Sequence, residues 1–469
     1  MDNLLLLLLV LPLLGSLFVL TSKKNDNNAF HVTLFMLISE IAVVLRLLSM
    51  VAKPLGDQVL QYKYAWLASA QIEFVFGCDV FSLLMLLGVY LSCLIGVVGL
   101  QPAQRKNKSM FFLMICFIWT ITGFFTARDI VSLYAFFAGM ILPLFMLVGI
   151  YGNIKKTSTL YLYFAVNFVG ALLLLTATVM IYRQNLGNIA FAEMASVEMP
   201  RRTAIVLWAG ICVAFLSRLP IWPFHYWVSL ICTGIKNPLV YIAANLMSLT
   251  GIYGFVRFWE RTIPVSMEAF VPVMEIFGVM TMLFVAFIGI SFREFLPKLF
   301  SYSAVYYLLF LLVIILLPVQ YEKNIAYSLF IFLIVNATLA VLELWSESVR
   351  DESGCDYRGI LAYMPKLTWI FTFFVLVAVG LPISSMFWNN FVLISAMFRE
   401  NFTIGLGVMT AITFISMALV HELFMMRNLP SKCVLETEIE DISDKKAAFF
   451  VAVIVLMFLS FFDPLWFVF

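Results

Sequence analysis

Long apolar stretches, separated by short polar or proline-containing segments, follow one another along almost the whole chain. They are about twice as long as the strands of a membrane barrel and lack the alternation of apolar and polar positions that such strands show. Because every backbone polar group must find a partner inside a bilayer, stretches of this length predict transmembrane helices. We count fourteen, at positions 4–20, 30–51, 78–100, 109–127, 130–151, 160–182, 203–231, 238–257, 266–290, 299–319, 325–346, 367–396, 402–425 and 447–467.

The composition agrees with a membrane protein. Of the 469 residues, 63% are hydrophobic and 12% are charged, against roughly 45–50% and about 25% in soluble domains. A soluble globular protein is therefore excluded, and we expect an all-α polytopic membrane protein in contact with the lipid bilayer. The net charge of +2 comes without a basic block, so nucleic acid is not an expected partner.

The distribution of basic residues predicts the orientation of the helices. Loops with odd numbers carry 17 of the 29 lysines and arginines, loops with even numbers carry 10, and the other two lie within helices. Since basic residues are enriched in cytoplasmic loops, the odd loops are expected on the cytoplasmic side. Both termini then lie on the non-cytoplasmic side, and we expect a multi-pass protein of the bacterial inner membrane.

Residues that bind metals are few and scattered. The seven cysteines form no Cys-x-x-Cys pair, and only three histidines occur, so neither a zinc site nor an iron–sulfur cluster has its ligands. The sequence also lacks a Gly-rich phosphate loop and a Ser/His/Asp arrangement. We therefore expect no metal site, no catalytic residue and no cofactor bound by this chain.

Two apolar stretches are longer than one crossing needs, and both contain proline. The seventh holds Pro220 and Pro223, and the twelfth holds Pro382. Proline removes a backbone donor and clashes with the preceding turn, so each site predicts a broken helix that lines a polar cavity, with an ordinary kink as the alternative. The breaks lie five helices apart, which predicts two inverted five-helix repeats, helices 4–8 and 9–13. The resulting domains are 1–108 (helices 1–3), 109–257 (first repeat), 265–425 (second repeat) and 426–469 (helix 14).

The seventh helix also carries the clearest candidate for an ion path. Arg218 stands two residues before the first of these prolines, and a charged side chain at membrane depth costs roughly 2.5–3.5 kcal/mol on insertion scales. Arginine does not release its proton in proteins, so it would supply a fixed positive charge. The alternatives are a structural pair or a side chain that extends to the interface. His225 and Lys236 follow the break and would continue a polar path, unless they are solvated or capping groups.

Further charged residues lie deep within predicted helices: Glu40, Arg46, Glu268, Glu275 and Glu343. Glu268 and Glu275 are seven residues apart and share a helix face, so they could form a carboxylate ladder for protons; an interfacial position of Glu268 is the alternative. We take Glu275 as an ion-path candidate, together with Asp129 at the start of the fifth helix.

Short motifs, in order and at suitable spacing, resemble those of a known family. The fifth helix begins Asp129-Ile-Val-Ser-Leu-Tyr-Ala-Phe-Phe-Ala138, and the first break reads Arg218-Leu-Pro-Ile-Trp-Pro-Phe-His225-Tyr-Trp227, similar to K-L-P-x-x-P-x-H-x-W. Further matches are Phe76-Gly-Cys-Asp79, Tyr253-Gly-Phe-Val-Arg257, Ser301-Tyr-Ser-Ala304, and Gly380-Leu-Pro382 with Phe387 and Phe391. The chain thus resembles the antiporter-like membrane subunits of respiratory complex I, of the subunit M or chain 4 type of NADH:quinone oxidoreductase.

This resemblance implies a membrane-arm subunit that moves protons or sodium ions through a buried chain of Glu and Lys. Its partners would be the other membrane-arm subunits of a complex I-like assembly, and NADH, FMN, iron–sulfur clusters and quinone would be bound by partner subunits. The family's relay residues of helices 5, 7, 8 and 12 fall on Ala138, Arg218, Leu249 and Asn390. None of the four titrates near neutral pH, so the resemblance predicts that the family's usual ion route is lost.

Three functions stay open at this point. The favoured one is a subunit of a complex I-type assembly that couples electron transfer to ion translocation, or that has a mainly structural role. The second is a subunit of a multi-component cation/proton antiporter or of a membrane-bound hydrogenase. The third, a stand-alone secondary transporter, would need polar residues lining a mid-membrane pocket, and the sequence is poor in them.

Overall fold

The structure is a computed structural model that describes residues 2–23, 26–51, 60–67, 72–152, 157–185, 200–232, 235–262, 270–317, 321–353, 363–382, 384–428 and 441–462. Most of these residues are helical. The helices are α1 (Asp2–Thr21), α2 (Asn28–Val51), α3 (Val80–Gly99), α4 (Lys108–Thr126), α5 (Ile130–Gly139), α6 (Ile141–Tyr151), α7 (Thr157–Asn185), α8 (Arg201–Leu216), α9 (His225–Cys232), α10 (Pro238–Thr262), α11 (Val271–Ser291), α12 (Phe295–Leu316), α13 (Glu322–Ser353), α14 (Pro365–Val379), α15 (Ser385–Glu400), α16 (Phe402–Asn428) and α17 (Asp444–Phe462). The two strands are β1 (Leu60–Leu67) and β2 (Ile72–Cys78).

Three of the predicted apolar stretches are each divided into two helices. The fifth is divided at Met140, the seventh between Leu216 and His225, and the twelfth between Val379 and Ser385. Among the described residues, eleven helical segments are long and apolar enough to cross a membrane. The prediction of a helical, polytopic membrane protein is confirmed, whereas the count of fourteen crossings and the inverted relation of the two repeats stay predictions.

One part of the fold is a β-hairpin, which the sequence patterns did not predict. Strands β1 and β2 pair antiparallel between α2 and α3. The hairpin is tied to the end of α4, because Phe76 pairs with Ala127 and the Arg128 N–H donates to the Val75 carbonyl at 2.7 Å. The third helix therefore begins at Val80, two residues later than expected.

Four helices form the centre of the molecule. Helix α13 packs against α3, α10 and α12, and most residues of these four helices are buried. Helices α1, α2, α7, α11 and α16 lie further out and carry large exposed apolar side chains, such as Phe35, Phe287 and Met417. An apolar outer surface of this kind fits a chain whose surroundings are lipid.

Both broken helices are stabilised locally. Between α8 and α9 the segment 217–224 contains Pro220 and Pro223 and is not helical. After α14, Gly380 adopts a left-handed conformation with φ +109°, which a residue without a side chain tolerates best. The hydroxyl of Ser384 then caps α15 by accepting from the Phe387 N–H at 3.3 Å. Pro382 lies between these two residues, outside both helices.

Candidate functional site

Arg218 lies in the non-helical segment between α8 and α9 and is fully buried. Its guanidinium points toward the end of α5, where Nη2 donates to the Phe137 carbonyl at 2.5 Å. The Nη1 group faces α10 and donates to Thr250 Oγ1 at 3.3 Å and to the Met247 sulfur at 2.8 Å. The guanidinium also lies over the Phe137 ring, 3.7 Å from its centroid. The Arg218 side chain therefore lies between α5 and α10 and contacts both helices.

The partners of Arg218 are a carbonyl, a hydroxyl, thioethers and an aromatic ring. No carboxylate of the described residues forms an ion pair with it. Ala138, the residue next to Phe137, has no polar side chain to offer, and Nε of Arg218 has no hydrogen-bond partner within the described part of the chain. Arg218 is therefore a fixed positive charge, stabilised by backbone and ring rather than by an acid.

The break itself is held in place by aromatic side chains. The Trp227 indole donates to the Ser217 carbonyl at 2.9 Å, which satisfies a carbonyl that the interrupted helix leaves free. The Trp227 ring packs on Tyr163 with centroids 5.1 Å apart, and the Tyr163 hydroxyl donates to the Ile141 carbonyl at 3.1 Å. These contacts connect α7, α9 and the junction of α5 with α6.

The two residues expected to continue the path from Arg218 differ in position. His225 begins α9 and is half-buried, and its Nδ1 has no hydrogen-bond partner among the described residues. Lys236 has a half-exposed side chain whose Nζ lies 3.5 Å from a carboxylate oxygen of Glu347. Lys236 thus matches the alternative of a solvated group, and its role in a polar path stays a prediction.

The carboxyl groups chosen from the sequence also differ in their surroundings. Glu275 is half-buried in α11, and its place in a carboxylate ladder stays a prediction. Glu268 lies outside the described residues. Asp129 is buried and caps α5, where its Oδ1 accepts from the Ser132 N–H at 2.7 Å.

Asp129 also holds the hairpin. Its Oδ2 accepts from the Val75 N–H at 2.8 Å and from the Ser132 hydroxyl. These contacts give Asp129 a structural task at the junction of β2 and α5, and its role in an ion path stays a prediction.

The remaining relay positions hold neutral groups. Leu249 is fully buried in α10. Asn390 in α15 donates to the Tyr306 hydroxyl at 3.3 Å, and its Oδ1 has no partner among the described residues. The Tyr306 ring packs on Tyr302 with centroids 4.6 Å apart. The resemblance assigns a proton-exchanging acid to this position. The amide of Asn390 does not exchange protons in that way.

A network of neutral hydrogen-bonding side chains joins the central helices. Of its members, the sequence motifs contained only Ser303. Asn245 of α10 donates to Ser303 Oγ at 3.1 Å and to Asn336 Oδ1 at 3.2 Å. Asn336 of α13 donates to the same hydroxyl at 3.0 Å, and Tyr307 donates to Asn245 Oδ1 at 2.6 Å. Ser303 belongs to the Ser301-Tyr-Ser-Ala304 motif, so this motif has a packing role between α10, α12 and α13.

A charged cluster lies at the end of the molecule that carries the hairpin. Asp79 caps α3 and binds two arginines, Arg257 with Nη2 at 2.6 Å and Arg128 with Nη2 at 3.1 Å. Burial alone would raise the pKa of the Asp79 carboxyl, but Arg257 and Arg128 together outweigh burial and hold this pKa well below its usual value of 3.8. Tyr253, one turn before Arg257, donates to the Phe125 carbonyl at 2.7 Å. The Tyr253-Gly-Phe-Val-Arg257 motif is thus a structural link from α10 to α3 and α4.

A buried ion pair was missed by sequence reasoning. Lys298 in the first turn of α12 lies 3.0 Å from Glu422 in α16, and both side chains are almost completely buried. His421 is largely exposed, and its Nδ1 lies 3.8 Å from the second Glu422 oxygen. These are the titratable groups that connect α12 and α16 in the described structure, but they sit near helix ends and not at the proline breaks.

Glu40, Arg46 and Glu343 complete the set of deep candidates. Glu40 is fully buried in α2, and Arg46 is exposed on the same helix. Glu343 is buried in α13, where the Ser346 hydroxyl lies 3.2 Å from its Oε2. Across the described residues, no group of three or more His, Cys, Asp or Glu side chains is arranged to hold a metal ion.

Comparison with known proteins places this arrangement in a family. The chain is 25% identical over 404 residues to the NADH-ubiquinone oxidoreductase chain 4 of Marchantia polymorpha, covering 84% of this chain and 80% of that protein. Its fold is similar to a chain of respiratory complex I from Thermus thermophilus, with a TM-score of 0.86, 17% identity and coverage of 99% and 96%. It is also similar to a chain of the Mrp complex from Dietzia sp. DQ12-45-1b, with a TM-score of 0.79, 17% identity and coverage of 99% and 51%.

The family itself is recognised over more than half of the chain. The sequence model described as "NADH:quinone oxidoreductase/Mrp antiporter, TM" matches residues 127–416. This range includes Arg218, both proline breaks and the Asn245 network. The chain therefore belongs to the family of transmembrane subunits shared by NADH:quinone oxidoreductases and Mrp antiporters.

Proposed function

We propose that this chain is an antiporter-like membrane-arm subunit of a complex I-type, proton-translocating NADH:quinone oxidoreductase, and that its own task is mainly structural. Support for the assembly comes from the family match over residues 127–416 and from the relative in Marchantia polymorpha, which is named a chain 4. Because the match covers 84% of this chain, it includes both broken helices. Its neighbours would be the other membrane-arm subunits, and the partner subunits would bind NADH, FMN, iron–sulfur clusters and quinone.

The observation that carries the structural role is the environment of Arg218. A proton relay needs groups that bind and release protons at working pH. Arg218 keeps its proton, and its described partners are neutral. With Ala138, Leu249 and Asn390 at the other relay positions, protons or sodium ions would have no exchanging group to occupy along the family's route.

The packed scaffold supports a structural role for the chain in such an assembly. Helices α3, α10, α12 and α13 form a packed centre, and the relay position on α10 holds the buried Leu249. The outer helices present apolar surfaces to lipid or to neighbouring subunits. A subunit with these properties would separate and orient its neighbours within the bacterial inner membrane, with both termini on the non-cytoplasmic side.

A subunit of a multi-component cation/proton antiporter is the second candidate, favoured by the similarity to the Mrp complex chain. Purification of the tagged chain from mild-detergent extracts distinguishes the two. Co-purified flavin and iron–sulfur subunits with NADH-oxidising activity would support the complex I-type assembly. Small antiporter subunits without redox cofactors would instead support the second candidate, and a solitary monomer would favour a stand-alone transporter.

A further inference from the structure

Glu40 lies near the middle of α2 and points into the protein. Its side chain has 0% relative exposure, although the same helix exposes Phe35 by 74%. Helix α2 packs against α1, α3 and α4. Glu40 lies outside the range that the family match covers, residues 127–416, and takes no part in the contacts around Arg218. It is therefore a buried acid that the proposed function leaves unused.

The Glu40 carboxyl has no charge partner among the described residues. Neither of its oxygens accepts a hydrogen bond, and no described Lys, Arg or His forms an ion pair with it. Arg46 is exposed and lies six residues further along α2, on a different face of the helix. An ionised carboxylate without partners in an apolar interior is strongly disfavoured relative to the neutral acid.

Cations on the neighbouring elements lie at the helix ends. Arg105 stacks over the Phe30 ring, which is ten residues from Glu40 and thus about 15 Å away along the helix axis. Lys108, the first residue of α4, donates to the Leu20 and Ser22 carbonyls at the end of α1. The described part of α1 from position 4 to 21 has no titratable side chain. The other titratable groups of α3 and α4 are Tyr90 and two thiols, Cys93 and Cys116.

Tyr90 on α3 is buried, and the direction of its hydrogen bond is set by Thr122. The Thr122 hydroxyl donates its single proton to the Ile118 carbonyl at 2.8 Å. In the 2.8 Å contact between Tyr90 and Thr122, Tyr90 is therefore the donor. The Tyr90 hydroxyl therefore has no proton left to donate to a carboxylate at Glu40.

We propose that Glu40 is a proton-binding site that is occupied at neutral pH, in the N-terminal helices and separate from the broken-helix region. Tyr90 donates to Thr122 and Thr122 donates to Ile118, so neither hydroxyl supplies a proton to a carboxylate at Glu40. The assignment depends on α2, α3 and α4 alone, whichever assembly the chain belongs to.

The test is chemical modification of the full-length chain in native membranes with the apolar reagent dicyclohexylcarbodiimide. A protonated carboxyl adds its O–H across one C=N bond of the reagent to give an O-acylisourea, which rearranges to a stable N-acylurea without loss of atoms. Mass spectrometry of the peptides then locates the adduct. We expect at least about tenfold more adduct on Glu40 than on Glu422, which corresponds to about 1.4 kcal/mol in favour of the neutral form. Glu422 is the internal comparison because it is a buried carboxyl that lies 3.0 Å from a lysine, Lys298.

Two variants and a second measurement complete the test. E40Q, which has nearly the shape of the neutral acid, removes the adduct, and Y90F retains it because the proton belongs to Glu40. Infrared difference spectra of wild type against E40Q report the state directly: a protonated carboxyl C=O band supports the proposal even if the reagent fails to reach the site. A carboxylate band in the spectrum of wild type against E40Q would overturn the proposal. An adduct on Glu422 as abundant as the adduct on Glu40 would also overturn it.

Discussion

The guanidinium of Arg218 and the backbone carbonyl of Phe137 are joined by a hydrogen bond of 2.5 Å. The same guanidinium lies 3.7 Å from the centroid of the Phe137 ring. Phe137 is the residue before Ala138, where the resemblance places an acid in the family. A backbone carbonyl of α5, and no carboxylate of the described residues, thus contacts the Arg218 guanidinium.

Removal of the Arg218 charge is expected to leave stability nearly unchanged. Arg218→Met loses the hydrogen bond to Phe137, which leaves a buried carbonyl unpaired at a cost of about 1–3 kcal/mol. The substitution also removes a buried charge without an acidic partner, whose desolvation opposes folding by a comparable amount. We expect the thermal midpoint of the detergent-solubilised chain to move by only a few degrees in either direction. A loss equivalent to about 3–5 kcal/mol would indicate an acidic partner and contradict our description of Arg218.

Lys298 and Glu422 should behave in the opposite way. Both are buried and 3.0 Å apart, so K298M or E422L alone leaves an unpaired charge and should cost about 3–5 kcal/mol. The double variant K298M/E422L removes both charges and should recover most of the loss. Thermal unfolding of the four proteins measures the coupling. The exposed pair of Lys366 with Asp444 is the control, since D444N should leave the thermal midpoint unchanged. If the losses of the two single variants add in the double variant, the prediction is wrong, because the buried pair does not act as a unit.

The Asp79 cluster predicts both a stability loss and a pH dependence. D79N leaves Arg128 and Arg257 without their shared carboxylate and should cost about 3 kcal/mol. Because the folded-state pKa of Asp79 is held well below its usual value of 3.8, its contribution is fully present above that value and is lost as pH falls through the lower folded-state pKa.

Hydrogen exchange of the hairpin amides, together with thermal midpoints from pH 7 down to strongly acidic pH, checks this prediction. Wild type should lose stability over the acidic part of this range, and D79N should lack that component. Exchange at residues 72–78 should rise in D79N, since Arg128 also holds the Gly77 carbonyl at 3.2 Å. Parallel pH profiles for the two proteins would contradict the assignment.

Patterns along the chain predicted the position of Arg218 and of the proline breaks because charge and proline stand out within apolar stretches. They could not predict the partners of Arg218, since a backbone carbonyl and two thioethers leave no signature in sequence. Lys298 was assigned to a loop because the apolar stretch starts one residue later, whereas α12 begins at Phe295. Its pairing with Glu422 joins helices far apart in the chain, which one sequence does not reveal.

Other differences have similar physical causes. Lys236 follows the broken helix in sequence, but its long side chain extends outward to Glu347, as flexible lysines do when water is within reach. The hairpin of β1 and β2 was missed because long apolar stretches dominate the pattern, although residues such as Tyr62 and Phe76 favour strands. The sequence marked Asp129 as an ion-path candidate because it is an acid at the start of a helix. In the structure its side chain caps α5.

The most direct test of the central claim is potential-driven proton uptake by liposomes that contain the purified assembly, compared between wild type and R218M. If the family's relay in this chain has been replaced by fixed groups, the two uptake rates will be equal, while the assembly composition stays the same. A decrease of at least about tenfold in R218M, the loss expected when a working proton-transfer group is removed, would show that Arg218 belongs to a functioning path and contradict the account.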